Sequence, residues 1–185
     1  MAEEDRYEVL KNNDLSITEL HEFFDEFYNT YKDLLFILEI KDGGESGKAA
    51  TKILYDTLKN EYPDYLDNMV LGTFHNEIEE DIKANYKDIY RGASPKVVIE
   101  FVITQLLCVN LFENNDIVCF QLPLEEKGIC LHLNTFIKRA HRRNIAVQYW
   151  TINNEADMKM LIEKQVDAVM TDDVELLRNV LDSYK

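Results

Sequence analysis

The sequence predicts an α/β fold in which strand–helix units follow one another along a parallel sheet. Short apolar runs alternate with helical patterns from residue 34 onward, as parallel α/β architectures do. Polar and ligand-like residues fall at or just after the C-terminal ends of the strands: Glu39 and Lys41, Phe74 and His75, Trp150 and Asn153, Asp172 and Asp173. In a (β/α)8 barrel that rim carries the active site. A doubly wound sheet would instead place its site at a switch point behind a G-x-G-x-x-G turn, and no such turn occurs.

The elements follow in order. "SITELHEFFDEFYNTY" (16–31) reads as a helix, with Ser16 and Glu19 as a capping box and Leu20, Phe23, Phe24 and Phe27 as one apolar stripe. "LLFILEI" (34–40) is the first strand and "KAATKILYDTLKNEY" (48–62) the helix after it. "NMVLGTF" (68–74) is the second strand and leads into the helix "HNEIEEDIKANY" (75–86). Residues 89–111 are ambiguous, because "VVIEFVITQLLCVNLF" suits a buried helix or a strand plus a helix, and periodicity does not separate these. "DIVCFQLP" (116–123), "IAVQYWTI" (145–152) and "VDAVMTD" (166–172) are strands. The helices "HLNTFIKRAHRRN", "EADMKMLIEKQ" and "VELLRNVLDSY" follow them in turn.

Bulk properties exclude several classes of function. With 185 residues, 46% hydrophobic and 30% charged, the chain reads as one soluble globular domain over 1–185. A net charge of −15 argues against a broad nucleic-acid surface, which needs clustered Lys and Arg. "KRAHRR" (138–143) is the one basic cluster and reads as a solvated helix face. Cys108, Cys119 and Cys130 lie eleven residues apart with no C-x-x-C pair, so reduced core thiols are expected rather than a disulfide framework or zinc site. The acidic N-terminus lacks an apolar signal core, and no run reaches the ~18–20 apolar residues of a membrane span. A cytoplasmic protein is expected.

"LLFILEIKDGGESGKAATKIL" (34–54) supports two readings. A P-loop needs G-x-x-x-x-G-K-[ST]; here Gly43 to Gly47 is one residue short, and Ala49 stands where the hydroxyl belongs. The other reading makes it a barrel strand that presents Glu39 and Lys41 at its mouth, with "DGGESG" as a turn. His21, His132 and His141 lie within or at the edges of amphipathic helices and read as structural, and His75 as a surface residue.

"FILEIK" (36–41), "LGTF" (71–74) and "AHRRNIAVQYWTINNEADMKMLIEKQVDAVMTDDVELLRNVL" (140–181) resemble, in order and spacing, the glycerophosphodiester phosphodiesterases. "ITELHEFF" resembles the helix before that family's E-I-K strand. Residues 89–135 carry the weakest likeness. The resemblance implies a TIM barrel that hydrolyses glycerophosphodiesters to glycerol 3-phosphate and an alcohol, using Mg²⁺ or Ca²⁺. It also implies that Glu39 binds the metal, Lys41 faces the substrate phosphate and Trp150 lines the glycerol pocket. The chemistry agrees, since a carboxylate is a hard ligand and an ammonium two residues on can stabilise phosphoryl oxygens. Taken alone, the same pair also suits an ion pair at the barrel mouth, and Trp150 a core position.

The family's other motifs are missing from their places: no His-Arg-Gly or His-Asp occurs, no Glu-Asn precedes Glu39, no expected strand carries Glu-x-Asp, and Gln165 replaces the glycine usual before Val-Asp. Those motifs carry both catalytic histidines and two metal carboxylates, so one Glu is a weak metal site and acid–base cleavage lacks its groups. The expectation is therefore an incomplete TIM-type (β/α) barrel, truncated to about six of eight strand–helix units and inactive alone. Its open edges would be covered by a second copy or by a partner. Non-enzymatic binding through those edges is the alternative, and a nucleotide-binding P-loop the next.

Overall fold

The structure is a computed structural model that describes residues 18–27, 30–31, 33–107 and 117–185. Ser16, Cys108 and the start of the 116–123 segment lie outside the described residues.

The first described helix, α1 (Leu20–Phe27), starts four residues later than the expected span. Its cap is local: the Glu22 carboxylate accepts the Glu19 N–H at 2.9 Å, the reciprocal half of a capping box. The expected stripe is present, and Phe24 is fully buried against Tyr62 and Tyr65.

Strand β1 (Phe36–Ile40) leads to α2 (Gly44–Glu61), and a 3₁₀ turn at Pro63–Asn68 delivers β2 (Met69–Thr73) and α3 (Asn76–Asn85). Leu34 and Leu35 precede β1 and are exposed, because the ladder starts where Phe36 meets Met69. The ambiguous stretch resolves into β3 (Tyr90–Gly92) and α4 (Pro95–Leu106). Pro95 at the first turn costs the helix no hydrogen bond. Then come β4 (Ile117–Leu122), a small antiparallel hairpin of β5 (Glu125–Glu126) and β6 (Ile129–Cys130), and α5 (Asn134–His141). Units β7 (Ala146–Tyr149) with α6 (Glu155–Glu163) and β8 (Ala168–Val169) with α7 (Val174–Asp182) follow. The hairpin was not anticipated, and it leaves His132 in a loop rather than on a helix.

The main sheet is parallel throughout, in the order β1-β2-β3-β4-β7-β8. Each strand pairs with its predecessor in the main sheet, so among the described residues there is no switch point of the kind a doubly wound sheet has. Six parallel strands with alternating helices form a curled partial TIM-type barrel. Phe74, just after β2, meets Trp150, just after β7, with ring centroids 5.7 Å apart. Those strands stand three places apart, about 14 Å on a flat sheet, so the rings meet because the sheet curls.

One face of each strand packs on the helices. Phe36, Leu38 and Ile40 of β1 and Met69 and Leu71 of β2 join Leu54 and Leu58 of α2 in one cluster. Phe120, Leu122, Val147 and Tyr149 join Phe101 and Phe136 in the other. Alternation then turns Glu39, Gly72, Gln121 and Gln148 to the inner face. Cys119 is buried in β4, and burial pushes its thiol up to about 12. The basic cluster departs from a plain solvated face: Arg139 donates to the Phe101 carbonyl at 2.6 Å and to Thr104 Oγ1 at 2.9 Å, tying α5 to the last turns of α4.

Candidate rim site

Glu39 sits one residue before the end of β1, opposite Gly72 of β2. Lys41 follows the strand, and its Nζ donates to Glu39 Oε2 at 2.6 Å. The Lys41 side chain is 76% exposed and that of Glu39 32%, so the ammonium reaches solvent beyond its carboxylate partner.

The turn behind Lys41 is held from β2 and α3. Thr73 Oγ1 donates to the Ile40 carbonyl at 3.1 Å and accepts the His75 N–H at 3.1 Å. His75 Nε2 donates to the Lys41 carbonyl at 3.0 Å, and Glu77 Oε1 accepts the Gly44 N–H at 3.3 Å. Its own backbone N–H and that of Gly44 hold the Glu77 carboxyl below the usual range. A Cβ on Gly43 would lie 2.7 Å from His75 Nδ1 and 2.8 Å from Glu77 Oε1, so this close approach requires glycine. Lys48 donates to Glu45 at 3.1 Å. Of the groups a P-loop would aim at phosphate, Gly44 N–H and the Lys48 ammonium each already meet a carboxylate.

On the inner face, Gln121 Nε2 donates to Gln148 Oε1 at 3.2 Å. The Gln121 side chain lies across the places where side chains of Gly72 and Gly92 would stand, 2.8 Å and 3.1 Å from those Cβ positions. Strand-interior glycines signal such an approach, and Gly72 and Gly92 were the sequence cue that went unread.

Trp150 is half-buried; its backbone N–H donates to the Leu122 carbonyl at 3.0 Å, and its ring stands edge-on to Phe74 at 85°. Phe74 is 54% exposed. Asn153 bonds to Thr171 and Asp172, and Asp173 caps α7 by accepting the Leu176 N–H. The structure thus brings Glu39 to Lys41 and Trp150 to Phe74, while Asp172 and Asp173 serve loop and helix geometry.

The donor set does not fit a divalent ion. Mg²⁺ and Ca²⁺ take six or more oxygens, whereas Glu39 is shared with an ammonium. Among the described residues, no group of three or more His, Cys, Asp or Glu side chains converges to hold a metal. No described helix is long and apolar enough to cross a membrane.

A sequence profile of the glycerophosphoryl diester phosphodiesterase family matches residues 83–176, just over half of the chain. That span includes Trp150 and the weakly resembling 89–135 region, and leaves Glu39 and Lys41 outside. Among solved structures, the chain is similar to a glycerophosphodiester phosphodiesterase from Parabacteroides distasonis, with a TM-score of 0.68 and 14% identity over 89% of this chain. A second, from Thermotoga maritima, gives a TM-score of 0.62 and 18% identity over 94% of this chain. The chain spans 64% of the Parabacteroides protein and 68% of the Thermotoga one. No curated protein matches the chain.

Proposed function

Because the chain belongs to the glycerophosphoryl diester phosphodiesterase family, we propose that it is a single partial-barrel domain whose rim receives a glycerophosphodiester without cleaving it unaided. The observation that carries the reading is the Glu39–Lys41 pair at the mouth of β1, on the same rim as Phe74 and Trp150. Lys41 would meet the phosphate, and the aromatic pair would pack on the glycerol carbons.

Cleavage needs a group that assists attack and one that protonates the leaving oxygen. Two described histidines lie on this side of the sheet, and a carbonyl engages each: Lys41 for His75 and Leu124 for His132. In this family Mg²⁺ or Ca²⁺ would offset the phosphate charge, but Glu39 alone is a poor ligand set.

The test is hydrolysis of glycerophosphocholine and glycerophosphoethanolamine with Mg²⁺, Ca²⁺ or EDTA, comparing wild type with Glu39→Gln, alongside titration with glycerol 3-phosphate. Binding without turnover supports the reading. Metal-dependent turnover lost in Glu39→Gln overturns the inactivity; absence of binding overturns the ligand assignment.

A second reading, an interaction protein, has one observation in its favour. Among the described residues, β1 and β8 each have a sheet neighbour on one side only. A second copy or a partner strand would complete such edges. Sedimentation of the purified chain separates a dimer from a monomer.

A further inference from the structure

The Asn153 side chain continues the sheet past the end of its strands. The last backbone links between β7 and β8 run from Met170 N–H to the Tyr149 carbonyl at 2.8 Å and from Ile152 N–H to the Met170 carbonyl at 2.9 Å. At the next step, the Asp172 N–H donates to Asn153 Oδ1 at 2.9 Å, so a side-chain oxygen replaces the carbonyl. The same Oδ1 accepts from Thr171 Oγ1 at 2.9 Å, while Nδ2 donates to Asp172 Oδ2 at 2.9 Å. Three bonds from one short side chain thus lock the segment after β7 to the loop after β8. Trp150 stands in that segment, three residues earlier, with its ring edge-on to Phe74.

We propose that Asn153 is a positioning residue: by clamping the Thr171–Asp172 loop it sets the Trp150 ring against Phe74 and so shapes the apolar wall of the rim. The value of that wall for a ligand rests on the function proposed above; the clamp itself does not. An amide is needed because one atom must accept two bonds while its neighbour donates to a carboxylate.

Trp150 is the only tryptophan of the chain, so its fluorescence reports the wall without any substrate. In Asn153→Ala, acrylamide quenching of Trp150 is expected to rise about twofold as the segment loosens, with far-ultraviolet circular dichroism unchanged. Asn153→Asp keeps the acceptor oxygen but sets two carboxylates face to face. It should resemble Asn153→Ala, because the Nδ2 donor is replaced by an oxygen that repels Asp172. Unchanged quenching in folded Asn153→Ala overturns the proposal; should that variant fail to fold, unchanged quenching in folded Asn153→Asp overturns it. If quenching shifts as expected but glycerol 3-phosphate leaves wild-type emission unaltered, the clamp stands and the ligand reading fails.

Discussion

The Glu79 carboxylate meets the Arg91 guanidinium in the interior, with their side chains only 6% and 4% exposed. Ser94 Oγ donates to the other Glu79 oxygen at 3.0 Å. The pair joins the first turn of α3 to β3, the short strand that links the two halves of the sheet. Desolvation makes each charge costly alone, so removing one partner should destabilise far more than removing both.

Glu79→Ala is therefore expected to lower unfolding free energy by about 3–5 kcal/mol in urea titrations followed by circular dichroism. The double substitution Glu79→Leu with Arg91→Met should cost less than Glu79→Ala. A double variant as damaged as the sum of the two single ones would show that packing, not charge, dominates there.

Much of this fold was legible because the helices cover one face of each strand. "LLFILEI" and "NMVLGTF" read as strands since their buried neighbours Ile40, Met69, Val70 and Leu71 leave few polar positions. Strand β3 was not legible: Tyr90, Arg91 and Gly92 hold no apolar run, and Arg91 is buried only because Glu79, twelve residues earlier, folds back to it. Arg139 was misread for a similar reason, since nothing local to "KRAHRR" points to the Phe101 carbonyl. At the rim, local pattern gave the positions of Glu39, Lys41 and Trp150, while the contacts of Phe74, His75 and Asn153 come from strands distant in sequence.

The glycines of "DGGESG" separate packing from ligand binding. A Cβ on Gly47 would overlap the Asp42 carbonyl and come within 2.8 Å of Ile78 Cδ1. Gly44 faces open space but has φ +58°. Gly47→Ala should thus cost about 1–3 kcal/mol as an overpacked contact. Gly44→Ala should cost about 1 kcal/mol from the left-handed backbone alone. Urea titration of both variants checks the order, and equal costs would contradict the packing account.

Alkaline stability should carry the signature of Tyr62. Its hydroxyl donates to Asp25 Oδ1 at 2.6 Å, and that bond first, then burial, pushes the phenol up to about 12. An unfolded tyrosine ionises near ~10. A group raised in the folded state stabilises fully below the unfolded value and loses that contribution as pH rises through the folded one. Wild type should accordingly lose stability between about pH 10 and 12. Tyr62→Phe should be weaker at neutral pH and show a shallower fall over that window. Parallel curves for the two proteins would leave the bond without a role.

The sharpest choice at the rim concerns Glu39, which is either a metal ligand or a brake on Lys41. In the structure its carboxylate occupies the ammonium that would meet a phosphate. Without divalent ions, Glu39→Gln should then tighten binding of glycerol 3-phosphate, by up to about fivefold, the worth of an exposed ion pair. Lys41→Gln should abolish the binding. Were Glu39 chiefly a ligand, adding Mg²⁺ or Ca²⁺ would strengthen wild-type binding and leave Glu39→Gln the weaker of the two. Isothermal titration with and without EDTA reads the sign of that difference. A pair that is half exposed and already neutralised predicts the first sign, because an ion would have to displace the ammonium before it gained one carboxylate.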